Sequence, residues 1–241
     1  MKQLMSLARC AMEKFGMVSA GDRIAVGVSG GKDSVALLCA LAELQRFYPE
    51  PFSVTALTLD PCFGGEEADY SALGELCRRL RVPLVIRRSE LGTVIFENRK
   101  EKNPCSLCAR MRRGILHDMA KAAGCNKIAL GHHADDAAET FLMNLLSGGT
   151  LGCFSPVTYL SRKDITLIRP LIFAREKEIA RAVRRCRLPV VKSACPADGC
   201  TRREEMKILI ASLSGEYGDA AEKITGAMQR AGLSGWGEPR K

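Results

Sequence analysis

The stretch "DRIAVGVSGGKDSVALLCALAELQRF" changes its hydrophobic period in mid-course. Residues 24–28 form a short apolar run, the signature of a buried strand. The run breaks at Gly30-Gly31, and from Ser34 the apolar residues recur at helical spacing. Strand, glycine turn and buried helix in that order are the opening of a parallel β-α-β unit. The rest of the chain repeats the alternation. Strands are expected at 53–60, 83–88, 127–132 and 188–193, and helices at 66–82, 109–124, 134–149, 174–186 and from about Arg202. A hairpin is expected over 157–170, turning near Lys163-Asp164. The reading is an α/β fold, a parallel sheet with helices on both faces, of Rossmann-like type. In such sheets ligands bind beyond the carboxyl ends of the strands. Residues 29–34, 60–62 and 131–136 therefore share one rim. The expected organisation is an N-terminal helix (1–20), a main domain (21–215) and a C-terminal helix with a tail (216–241), frayed from about Ser234.

The glycine turn is built for an anion. It lacks G-x-G-x-x-G, and it misses the P-loop spacing because only three residues separate Gly27 from Gly31 and Asp33 follows Lys32. Its physics still suits phosphate. Gly30 and Gly31 let backbone N–H groups approach closely, Ser29 and Ser34 add hydroxyl donors, Lys32 adds charge, and a helix N-terminus follows. Asp33 would repel phosphate unless a cation such as Mg²⁺ stood between them. A second motif, "GHHADD", ends the fourth expected strand and opens a helix. His132 and Asp135 lie on the same rim. Asp135 and Asp136 also suit simple N-capping.

The 241 residues carry a formal charge of +9, with basic groups at Arg110, Arg112 and Arg113, over 175–187, and at Lys192, Arg202, Arg203 and Lys207. This distribution suggests a polyanion partner. No apolar run approaches a membrane span, and residues 1–16 read as an amphipathic helix with Leu4, Leu7, Ala8, Ala11 and Met12 on one face rather than as a secretory leader. A cytoplasmic protein is expected. The chain has 11 cysteines, and in that compartment a disulfide framework is disfavoured. Cys10, Cys39, Cys77, Cys125, Cys153 and Cys186 are expected in the core, and His117 is read as structural. "NPCSLCARMRRGI" differs: Cys105 and Cys108 sit at a basic helix start, which favours thiolates. Two sulfurs do not complete a metal site, so ligands must come from the late loop "KSACPADGCTRR". Four thiols, with Cys195 and Cys200, would make a zinc site. Three would make a [4Fe–4S] cluster with one iron open. Spacing leaves both alternatives standing.

At "SGGKDS" the chain resembles the PP-loop ATP pyrophosphatases, and the resemblance runs from roughly Phe15 to Leu213. With "CSLCARMRRG", "GHHADDAAET", "IRPLIFAREKEI" and the late cysteine loop, the chain resembles their tRNA 2-thiocytidine synthetase type, related to the tRNA 2-thiouridine synthetases. The resemblance implies that ATP and Mg²⁺ bind at residues 29–34 with His132 and Asp135. It implies a [4Fe–4S] cluster on Cys105, Cys108 and Cys195, with Cys200 a second-choice ligand. It implies catalytic roles for Asp33, Asp135 and Arg112, the last standing where the 2-thiouridine relatives carry a lysine. The reaction implied is adenylation of the C2 oxygen of a tRNA pyrimidine, with cytidine the first choice, and its replacement by sulfur. Partners implied are tRNA and a cysteine desulfurase as sulfur donor, with a homodimer allowed. The segment "PCFGGEEADY" and the short C-terminus depart from the pattern. Two other classes stay open: a PP-loop ligase with an amine nucleophile, which needs no cysteine cluster, and a non-enzymatic metal-binding RNA module, which does not need "SGGKDS".

Overall fold

The computed structural model describes residues 1–98, 104–191, 195 and 202–237. Its centre is a six-stranded sheet in the order β3-β2-β1-β4-β6-β5. The strands are β1 (Asp22–Gly27), β2 (Phe52–Asp60), β3 (Leu84–Arg88), β4 (Lys127–Ala129), β5 (Val157–Leu160) and β6 (Ile165–Ile168). All neighbours pair in parallel except β5 with β6, the expected hairpin. The hairpin turns where Asp164 adopts a left-handed φ of 48°.

The period-two pattern of the strands divides the core. Ile24 and Val26 of β1, with Val54 and Ala56 of β2, belong to one apolar cluster; Ala25, Leu57 and Leu59 belong to another. The first cluster is covered by α1 (Lys2–Lys14), α2 (Lys32–Leu44), α3 (Ser71–Leu80) and α7 (Glu176–Arg185). The second is covered by a helical turn at α4 (Leu91–Thr93) and by α5 (Pro104–Ala122). Helix α2 is buried along nearly its whole length, which explains its all-round apolar sequence. Helices α6 (Ala134–Gly148), α8 (Arg202–Tyr217) and α9 (Ala220–Arg230) pack a third small core.

Several expectations change. Residues 188–191 form no strand; the rest of that run lies outside the described residues. Arg187 takes a left-handed φ of 49°, and the chain turns so that the Val191 N–H donates to the Gly30 carbonyl at 3.0 Å. The helix expected from residue 66 begins only at Ser71, after a 3-10 turn at Phe63–Gly65 and a loop. Asp60 holds this segment, its carboxylate accepting from the Cys62 and Ala68 N–H groups at 3.0 and 2.9 Å. The tail is not frayed at Trp236, which is 0% exposed and donates its indole N–H to the Phe154 carbonyl at 2.9 Å. Cys39, Cys77 and Cys125 are buried, but Cys10 and Cys186 are exposed and Cys153 is half-buried. Cys10 lies outside the buried stripe of α1, and Cys186 caps the end of α7. His117 is buried in α5.

Candidate active site

The strand order reverses between β1 and β4, and the loops leaving their carboxyl ends flank a cavity of about 530 Å³. One wall is the turn after β1. Gly30 has a φ of 87°, and a Cβ there would lie 2.8 Å from the Val191 Cβ. The hydroxyls brace the turn: the Ser29 N–H donates to Ser34 Oγ at 3.2 Å, and Ser34 Oγ donates to the Gly31 carbonyl at 2.9 Å. Helix α2 begins at Lys32 with no side-chain cap. Its first N–H groups and its positive end are left for an anion. The approach of the β4 loop depends on Gly131, where a Cβ would meet the Asp33 and Ser34 backbone at 3.1 Å.

Asp33 lines the cavity, and its Oδ1 is buried without a hydrogen-bond partner, His133 Nε2 standing 3.8 Å away, while Oδ2 takes the Lys32 ammonium at 3.1 Å. A buried carboxylate oxygen with no hydrogen bond, beside an anion-binding turn, fits a hard divalent cation such as Mg²⁺. Lys32 also pairs with Glu176 Oε1 at 3.0 Å, and Glu176 Oε2 pairs with Lys207 at 2.9 Å. Burial alone would raise the Glu176 pKa, but the hydrogen bonds from Lys207 and Lys32 pull it down to about 2.

The two histidines separate. His133 caps α6, its Nδ1 accepting from the Asp136 N–H at 3.4 Å and its own N–H donating to Asp136 Oδ2 at 3.0 Å. His132 faces the cavity, stacked against Phe154 at 5.0 Å, and burial pushes its pKa down to about 4, so it is neutral at physiological pH. The two aspartates separate as well. Asp136 lines the cavity. Asp135 is spent on α7: Oδ1 accepts from Arg175 Nε and Nη2 at 2.9 and 2.7 Å, and Oδ2 from the Glu176 N–H at 2.6 Å. Arg175 continues to Asp219. One turn on, Glu139 is buried beside Asp136 and Arg203; burial, then the Asp136 charge, pushes its pKa up to about 7.

The far wall is α5. Arg112 and Arg113 line the cavity, and Leu57, Leu59, Leu116 and Leu130 give it an apolar side. The Arg112 charge stands close enough to the Cys108 thiol to lower its pKa. Cys108 is 7% exposed; burial raises its pKa, Arg112 lowers it, and the nearby Cys195 and Cys105 raise it. The three thiols are thus electrostatic neighbours, with Cys105 exposed and Cys195 half-buried. No disulfide joins Cys105 to Cys108. Among the described residues no three His, Cys, Asp or Glu side chains are grouped round one point as for a single metal ion. Cys200 lies outside the described residues. The structure therefore brings Ser29, Gly31, Asp33, Ser34, Arg112 and His132 to one cavity, leaves Gly30 and Lys32 off its lining, and turns Asp135 away. Sequence reasoning missed Glu176, Glu139 and the reach of Arg203. All three stood inside quoted motifs, Glu139 in "GHHADDAAET", Glu176 in "IRPLIFAREKEI" and Arg203 at the end of "KSACPADGCTRR", without being singled out for the site.

A parallel sheet with an anion-binding turn at its switch point defines a nucleotide-binding α/β protein. Residues 5–207 match the family model described as a PP-loop domain, and the chain belongs to that family. Its relatives there are sulfurtransferases. It is 38% identical over 218 residues to the tRNA-cytidine(32) 2-sulfurtransferase of Geobacter sulfurreducens, covering 89% of this chain and 84% of that one. It is 40% identical to the protein of that name from Pelobacter propionicus, over 86% of this chain and 77% of the other. Among solved structures, the U34-tRNA thiolase NcsA from Methanococcus maripaludis with its [4Fe–4S] cluster shares the fold, with a TM-score of 0.78 at 24% identity over 94% of this chain and 77% of that one.

Proposed function

We propose that this protein is an ATP-dependent tRNA thiolase that converts a cytidine to 2-thiocytidine. The observation that carries the reading is Arg112, which lines the nucleotide cavity from α5, the helix that also carries Cys105 and Cys108, and whose charge acts on the Cys108 thiol. An activating half and a sulfur half meet at one side chain. The names of the relatives support the same assignment.

The chemistry follows from the walls. The N–H groups of the turn and of α2 hold the β- and γ-phosphates, with Ser29 and Ser34 bracing them and Lys32 tying the loop to α7. Asp33 would hold Mg²⁺ against the phosphates. The apolar side takes the adenine. The C2 oxygen of the base attacks the α-phosphorus, pyrophosphate leaves, and C2 now carries AMP as a good leaving group. Arg112 neutralises charge on the phosphoryl oxygens as the bond forms. Neutral His132 can hydrogen-bond the base edge without repelling the arginines. Sulfur then attacks C2 and AMP departs. A [4Fe–4S] cluster on Cys105, Cys108 and Cys195 would supply the site from which that sulfur is delivered; three thiols beside a guanidinium suit it. Asp135 acts as a positioning residue, fixing Arg175 and Glu176 behind the turn. A cysteine desulfurase supplies the sulfur as a persulfide, and a thiol reductant adds the two electrons that bring it to the sulfide level at which it attacks C2. The exposed arginines of α7 track the tRNA backbone, and an unpaired loop base enters the cavity. No described helix is long and apolar enough to cross a membrane, and the tRNA substrate implies work in the cytoplasm, as a monomer or a homodimer.

The test is anaerobic protein with ATP, Mg²⁺, sulfide and unmodified tRNA, read by pyrophosphate release and by mass spectrometry of nucleosides. The expected product is 2-thiocytidine with equal AMP. Pyrophosphate with an amine-modified base, or no pyrophosphate at all, overturns the reading.

A further inference from the structure

The cavity's cationic lining does not come from the loop lysine, which is engaged by Asp33 and Glu176 at 3.1 and 3.0 Å. Among the described residues it comes from Arg112 and Arg113 on α5 and from Arg203 on α8. The two on α5 flank the cysteines; Arg203 arrives from another element and stands against α6. Its guanidinium is tethered by long contacts: Nη1 to Asp136 Oδ1 at 3.5 Å, Nη2 to Thr140 Oγ1 at 3.4 Å, and Nε to Glu139 Oε2 at 3.8 Å. Strong charge-assisted bonds run to about 2.7–2.9 Å. The fork is aimed by acids yet not saturated by them, and 44% of the side chain is open. A planar fork in that state is suited to two oxygens of a phosphate.

We propose that Arg203 is a further catalytic cation of the adenylation step, contacting the polyphosphate of ATP in the cavity from the side opposite its acidic tethers. The inference rests on the reading that this cavity holds ATP. It also gives α8 a purpose beyond packing. The helix begins at Arg202, seven residues after Cys195, so the segment bearing the third thiol leads directly into the helix that delivers the cation.

The test compares full-length wild type with Arg203→Gln and Arg203→Lys, purified anaerobically. Pyrophosphate release is measured with tRNA and Mg²⁺ over a range of ATP, alongside iron content and melting temperature. Arg203→Gln is expected to lose about 10²–10³-fold in kcat/KM for ATP. Arg203→Lys should recover part of this, because charge stays and the fork is lost. Iron and melting temperature should match wild type. Wild-type pyrophosphate release by Arg203→Gln overturns the inference, as does a loss that tracks the loss of iron. A wild type that releases no pyrophosphate overturns the ATP reading itself, and this inference with it.

Discussion

Gly30→Ala should be among the costliest single-methyl additions in the chain. The position has a φ of 87°, and the new Cβ would lie 2.8 Å from Val191 Cβ and 3.3 Å from its Cγ2. Left-handed backbone costs a non-glycine residue about 1–2 kcal/mol. The contact is with a Cβ, which cannot swing aside by changing rotamer, so segment 188–191 must shift. Overpacking of that kind costs about 1–3 kcal/mol. The shift also endangers the Val191 N–H bond to the Gly30 carbonyl, worth about 0.5–1.5 kcal/mol. The sum is about 2.5–6.5 kcal/mol. Gly64 is the internal control: its φ is 67° but nothing lies within 4 Å of an added Cβ. Gly64→Ala should therefore cost only the backbone strain, about 1–2 kcal/mol. Urea denaturation of both variants reads the difference. A double variant, Gly30→Ala with Val191→Gly, removes the opposing Cβ and should recover the overpacking portion, whereas Val191→Ala keeps that Cβ and should not. Equal costs at Gly30 and Gly64, or equal rescue by glycine and alanine at 191, would refute the steric account.

Asp33→Asn should abolish pyrophosphate release while changing melting little, since Oδ1 has no hydrogen-bond partner and Lys32 keeps Glu176; full turnover with Mg²⁺ would contradict the cation role. Asp135→Ala leaves the Arg175 guanidinium to Asp219 alone and should destabilise by about 1–3 kcal/mol, measured by urea titration; a stable, inactive variant would instead return Asp135 to the chemistry. Glu139 binds its proton more tightly in the fold, where its pKa is about 7, than at its ordinary 4.5. Stability should fall as pH rises through that window, by at most about 3 kcal/mol, and Glu139→Gln should flatten the curve; a variant with the wild-type pH dependence would assign the slope elsewhere. Cys195→Ala should come off an anaerobic column without the brown colour and without thiolation but with ATP binding intact, and retention of iron would remove it from the ligand set.

The parts of the fold legible in the sequence are those where one local signal suffices. The run 24–28, the glycines and the buried pattern of α2 declare the turn by themselves, and Lys163-Asp164 declares the hairpin. The parts that were not legible depend on what arrives from elsewhere. "LPVV" has the composition of a strand, yet it serves as a cover over Gly30. Trp236 sits among glycines and charges that read as a frayed end, and only Phe154, reached across the fold, shows why it is buried. Asp135 and Asp136 are adjacent on α6, so one turns to the cavity and the other to α7. Which is which depends on where Arg175 comes to rest, and no periodicity encodes that. Arg203 lay in a visibly basic segment, but charge alone does not distinguish a solvated face from a cavity wall.

The placement of Arg112 links the two halves of the proposed reaction physically. Adenylation needs positive charge beside phosphoryl oxygens, and sulfur transfer needs thiolates that stay deprotonated in a partly buried position. Burial works against the second need, as the raised Cys108 pKa shows, and Arg112 is the group that opposes it. One guanidinium therefore meets both demands, and its permanent charge suits the task better than an ammonium whose pKa falls on desolvation. Arg112→Lys would keep a cation in the cavity but give up the planar fork beside Cys108. Pyrophosphate release should then survive better than thiolation, and that separation is what distinguishes a bridging residue from one that serves the nucleotide alone.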